Sequence, residues 1–122
     1  MGPQGPPGPP GPQGPRGDEP QLVRCDSCKY IDVDASLGNV FDVLLLENAV
    51  LKAPVNGVDG KRILIRIHQD AVGYRQLALG SNFHYGNVSV TISEPPLSVS
   101  YLDIIYDGRQ GKWHILDFKK GY

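Results

Sequence analysis

Glycine stands at every third position from the second residue onward, at Gly2, Gly5, Gly8, Gly11, Gly14 and Gly17, and proline follows it in five of the six triplets. Three polyproline II strands wind about a common axis only when every third residue lacks a side chain, because no Cβ fits at the crowded centre. The pattern therefore predicts a collagen-like stalk over residues 1–19 and a homotrimer as the working molecule. At about 3 Å rise per residue such a stalk spans only about 50 Å, with no hydrogen bonds along each strand. A neighbouring domain has to hold the three chains together, so the expected order is head first and stalk second, the head raising the effective concentration of the strands for one another.

The chain has 122 residues and a net charge of −1. Stalk and neck take the first 29, which leaves residues 30–122 for one small head domain, within the usual single-domain range. Lys and Arg are scattered and adjacent only at Lys61-Arg62 and Lys119-Lys120, so no nucleic-acid or anionic-membrane partner is expected. The longest purely apolar stretch, Val43 to Leu46, is far short of a membrane span. The triplets begin directly after Met1 with neither the charged nor the apolar region of a secretory leader, and Pro3 and Pro6 break the myristoylation pattern that Met1-Gly2 opens. An extracellular-style module without an export signal is expected either as a piece of a longer protein or in a particle that assembles in a cytoplasm and leaves by lysis.

Residues 20–29 form the expected neck, which carries Cys25 and Cys28. A trimer gathers six thiols there. No second CxxC or His pair at ligand spacing follows, as a zinc site needs, and the βαβ context of a thioredoxin-like redox site is missing. The favoured reading is covalent stapling, chain to chain around the axis or to another protein of the same assembly; unlinked thiols in a neck remain the bland alternative. Staggered chains at the end of a triple helix bring Cys25 of one strand towards Cys28 of the next.

Beyond Tyr30 the pattern is strand-like. Ile63, Ile65 and Ile67 alternate with Arg62, Leu64, Arg66 and His68, the clearest period of two in the chain. Further strands are expected at residues 30–33, 40–46, 49–53, 76–79, 87–92, 98–106 and 113–118. Asn56-Gly57, Asp59-Gly60, Gly73, Gly80-Ser81-Asn82, Gly86, Pro95-Pro96 and Asp107-Gly108 punctuate them. The expected architecture is all-β, a small antiparallel β-sandwich or barrel. Asp42 to Lys52, rich in Leu, Glu and Ala, reads equally well as a short helix on propensity. In the last hairpin Leu102, Ile104 and Tyr106 fall on one side and Tyr101 and Ile105 on the other, while Trp113 and Ile115 oppose Leu116 and Phe118. Apolar residues on both faces ask for a second covering surface, which a neighbouring subunit supplies.

Asp59-Gly60-Lys61-Arg62-Ile63, then Arg66, Gln69-Asp70, Gly73, Arg75 and Gly80-Ser81-Asn82-Phe83, together with Tyr101 to Asp107, Gly111 to Leu116 and the closing Gly121-Tyr122, resemble the C-terminal β domains of bacteriophage fibre and virion-associated proteins. The resemblance covers positions 30 to 122. It implies a homotrimeric fibre head beside collagen-like repeats, and it accounts for the missing leader, because virions assemble in the host cytoplasm. The neck cysteines lie outside it.

Catalytic signatures are lacking: no HExxH, no G-x-S-x-G, no phosphate loop. His68, His84 and His114 lie on separate strands or turns. Asp103 and Asp107 are read as solvated carboxylates rather than a glycosidase pair, and His68 as solvent-facing rather than as a metal ring on a three-fold axis. No cofactor and no metal are expected. Arg16-Gly17-Asp18 spells an integrin tripeptide only because GPR precedes GDE, and the sequon Asn87-Val88-Ser89 matters only on a eukaryotic secretory route. Tyr74, His84 and Tyr85, in or beside Gly-rich turns, are the candidate receptor contacts, although Phe83 and Tyr85 also suit a plug at the bottom of the sandwich. The expected function is that of a structural virion protein, a trimeric fibre or decoration protein of tail, collar or capsid held by neck disulfides to itself or to other virion proteins. The first alternative is a fibre tip that reads a host surface glycan or protein. The second is a secreted animal collagen-like protein with a complement-type head.

Overall fold

The computed structural model describes residues 20–25 and 29–122, with side chains from Lys29 onward. The Gly-X-Y triplets, Arg16-Gly17-Asp18 and Cys28 lie outside the described residues. The strands are β1 (Pro20–Cys25), β2 (Tyr30–Ile31), β3 (Val40–Leu45), β4 (Ala49–Leu51), β5 (Arg62–Gln69), β6 (Leu77–Leu79), β7 (Phe83–His84), β8 (Val99–Asp107) and β9 (Lys112–Lys119). They form a six-stranded sheet in the order β1-β3-β5-β8-β9-β7 and a three-stranded sheet in the order β2-β4-β6. Among the described residues helix is confined to one 3₁₀ turn, Ala35–Leu37, capped by Asp34, whose carboxylate accepts from the Ser36 amide.

The first six strands alternate between the sheets, and every pairing among them is parallel. The chain thus winds as a short solenoid. Pro20 lies opposite Val40 and Val40 opposite Leu64, so successive turns take 20 and 24 residues. The expected antiparallel sandwich or barrel is corrected here: the protein is all-β in two sheets, neither closes on itself among the described residues, and only β5–β8 and β8–β9 pair antiparallel. Parallel neighbours need a crossover, usually a helix; here the other sheet supplies it. Asn56-Gly57 and Asp59-Gly60, which resemble hairpin turns, are corners between sheets, with Asn56 and Gly60 at positive φ.

The core lies between the sheets. Phe41 pairs beside Ile65 and Val43 beside Ile67, Ile63 beside Ile104 and Ile65 beside Leu102, and all are almost fully buried. Trp113 closes one end. Its Nε1 donates to the Pro54 carbonyl at 3.0 Å, its ring lies 5.0 Å from that of Tyr106, and Gly57 lets the chain pass close, because a Cβ there would sit 2.8 Å from the indole. The ambiguous Asp42 to Lys52 is strand β3, a turn and β4, since its alternating burial fits a two-sheet wall. Asn87 to Ile92 corrects another expectation. The segment turns Val88, Val90 and Ile92 inward and leaves Asn87, Ser89 and Thr91 exposed, but it joins neither sheet. Alternation reports burial, and a ladder needs a partner as well.

The last hairpin also departs from the simple pattern. Ile104 faces Ile115 and Asp103 faces Asp117, so Leu116 is the extra residue of a β-bulge. The bulge returns Phe118 to the inner face opposite Leu102, where it packs against the core, and leaves Leu116 exposed. The expected opposition of Trp113 and Ile115 to Phe118 is therefore wrong by one residue of register.

Candidate functional site

Two regions of the described surface carry more chemistry than a solvated sheet requires. The first is the outer face of the six-stranded sheet. Register sets Asp42, Arg66 and Tyr101 in one row, Val40, Leu64 and Asp103 in the next, and Leu44, His68 and Val99 on the other side. Asp42 receives two bonds from the Arg66 guanidinium, at 2.5 and 2.7 Å, and lies 3.4 Å from His68 Nε2. The hydrogen bonds that Arg66 donates to Asp42, together with the negative charge of that carboxylate, hold the Arg66 pKa above its ordinary value against the opposing effect of burial. Arg62 reaches Asp103 at 2.6 Å. The ionic groups are thus paired within the face, and half-buried Val40, Leu44, Leu64, Val99, Tyr101 and Ile105 surround them. Covering such a face costs less than covering unpaired charges would, because each charge keeps its partner when water is removed.

The second region lies at the end of the molecule where β7 joins β9. Parallel pairing puts His84 beside His114, their rings meeting edge to face at 5.2 Å. His114 Nε2 meets Gln110 Oε1 at 2.8 Å and lies 3.7 Å from Asp107. Asp107 and Asp59 accept bonds from the turn amides of Arg109 and Gly108. An open hollow of about 510 Å³ is lined by Asp59, Tyr106, Asp107, Arg109 and His114 among others. Carboxylates, a guanidinium and an imidazole around an aromatic wall suit a hydroxyl-rich ligand.

The sequence-derived receptor residues separate. His84 packs against His114, which lines the hollow, and Tyr85 directly follows His84, 40% exposed, so of the expected plug only Phe83 is buried. Tyr74, 63% exposed and at φ 60°, lies past the far end of β5, its amide donating to Glu94 O. The His114 row meets β5 at Arg62 and the Tyr74 loop leaves β5 after Gln69, which puts Tyr74 about 20 Å away along the strand. Asp103 and Asp107 are separated in role, one paired to Arg62 and one capping a turn. What sequence reasoning missed is the His84–His114 contact, because only the return of β7 to the far edge of the larger sheet creates it. Cys25 ends β1 opposite Leu45.

The family model described as "Putative phage tail fibre C-terminal domain" matches residues 31–111. The chain belongs to this family of phage tail fibre C-terminal domains, structural proteins of the virion rather than enzymes by kind. No curated protein matches it. Among solved structures, one titled "Structure of a chaperone-substrate complex" aligns at a TM-score of 0.49 and 14% identity over 80% of this chain and 16% of that one. The chain thus spans about a sixth of the length of that structure.

Proposed function

We propose that the protein is a homotrimeric tail-fibre component in which three chains join through a Gly-X-Y stalk and carry three solenoid heads. The observation that carries the reading is the unbroken glycine period, Gly2 to Gly17, on the same chain as a tail-fibre family domain. Three copies are what the repeat requires, and the half-buried outer face with its internally paired charges supports contact between heads. Cys25 and Cys28 act as a covalent staple, between chains of the trimer or to another virion protein, once lysis exposes them to an oxidising medium. The complement-type alternative has no support from the family match.

Non-reducing against reducing electrophoresis of thiol-blocked native material, with intact mass on each band, tests this. A trimer that collapses on reduction is expected. A band containing a second protein assigns the cysteines to cross-linking within the particle, and a monomer in both lanes with a monomer in sedimentation removes both the staple and the trimer.

The hollow lined by Asp59, Arg109 and His114 favours a second role, recognition of a host surface glycan by the head. Arg109→Ala is expected to weaken saturable binding of the fibre to host cells while leaving thermal unfolding unchanged. Equal binding by the variant assigns the hollow no such role.

A further inference from the structure

We propose that the extended segment Asn87 to Ile92 is an interchain strand, completed in the assembled protein by backbone pairing with a second copy of this chain. The inference rests on the trimeric reading above. Six residues, Asn-Val-Ser-Val-Thr-Ile, alternate exposed and inward as a strand does. Among the described residues no backbone N–H or C=O from Ser89 to Ile92 makes a hydrogen bond, and Val88 makes only a turn bond to Tyr85. Backbone polar groups in a half-buried segment are as a rule paired. Natural edges left open to water carry charge or proline to prevent pairing, and this segment has neither.

The ends of the segment fix its position. At the C-terminal end the Ser93 amide donates to Ser100 Oγ, Ser93 O accepts from Gln69, and Ser93 Oγ accepts from the Gly121 amide. The segment is therefore held in place before any partner arrives, which lowers the ordering cost of pairing. An open groove of about 510 Å³ runs beside it, lined by Thr91, Ile92, Ser93, Glu94, Pro95, Lys120 and Gly121. The partner is a copy of this chain because the Gly-X-Y run of the same chain brings two copies within reach. Within a ring of three the contact is heterologous, so the segment meets a different edge of the next protomer.

Ser89→Pro tests the idea, because the Ser89 N–H has no partner among the described residues while an interchain ladder would use amides of this segment. Hydrogen exchange is measured on the full trimeric chain, and association of wild type and Ser89→Pro by sedimentation. Expected are amides 89–92 protected about a hundred-fold in the trimer and a variant with the wild-type circular dichroism that needs at least about ten-fold more protein to associate. Free exchange at residues 89–92 in a wild-type trimer overturns the inference and leaves the trimer standing. A monomeric wild type overturns both. Should Ser89→Pro not fold, the wild-type exchange pattern still decides.

Discussion

Gln69 and Asp70, at the end of β5, do opposite kinds of work in neighbouring positions. Gln69 is 3% exposed, and its amide donates to Arg75 O and Ser93 O at 2.8 and 2.9 Å while accepting from the Arg75 amide at 3.0 Å. Gln69→Leu leaves three backbone groups without partners and is expected to cost about 3 kcal/mol, read as a lower urea midpoint at unchanged slope. Asp70 instead holds its loop through charge. The Arg75 guanidinium at 2.8 Å and the Gly73 amide keep its carboxyl below the usual 3.8, and Ser36 and Asn56 do the same for Asp34. Because both folded values are depressed, the stability they contribute is complete above the unfolded value near pH 4 and is lost as pH falls through the lower folded values. Denaturation titrations between about pH 5 and 2 are expected to show a shallower acid loss for Asp70→Asn than for wild type, the two converging at the acid end. Parallel curves would remove the assignment. The pairing of Asp70 with Arg75 was not legible in the sequence, because the loop bends back on Gly73, at φ 75° and so close to Pro96 that a Cβ would lie 2.6 Å from its nitrogen.

At the level of elements, β9 shows what a period of two conveys and what it hides. Trp113 and Ile115 point inward, then Leu116 is inserted, and Phe118 points inward again. Deleting Leu116 restores a regular ladder without moving any inward residue, so a cost below about 1 kcal/mol is expected. Deleting His114 forces Trp113 or Ile115 out of the core and is expected to cost about 3–5 kcal/mol. Chemical denaturation of both variants checks the contrast, and equal penalties would falsify the bulge as the register device. Strands β5 and β8 were legible because each buries one face in strict alternation. Parallel winding was not. Solenoid corners and hairpin turns use the same residues, and successive turns of 20 and 24 residues leave no fixed period to detect. The alternation of Val88, Val90 and Ile92 was legible as well, but it marks burial rather than a ladder, because the segment joins neither sheet.

For the whole molecule, the informative junction is where the triplets stop. Gly17-Asp18-Glu19 is followed at once by β1, so the segment taken for a neck begins as a strand of the head. The alternation that marks other strands is too weak in Pro-Gln-Leu-Val-Arg-Cys to reveal this, and proline at its first position is tolerated only because β1 lies at an edge. The ladder from Pro20–Val40 to Cys25–Leu45 therefore ties the residues that directly follow the triplets into the sheet. Tension along a fibre would load that ladder along the strand direction, where its bonds share the load, rather than a loose linker. A chain that starts at Pro20 keeps β1, whereas one that starts at Tyr30 exposes the edge of β3, Val-Phe-Asp-Val-Leu-Leu, with one charge in six residues. Free edges of that composition associate. The longer chain is expected to unfold in one transition and stay dispersed, and the shorter one to show a lower urea midpoint and concentration-dependent light scattering. If the two have the same midpoint and scatter alike, β1 contributes nothing to the head.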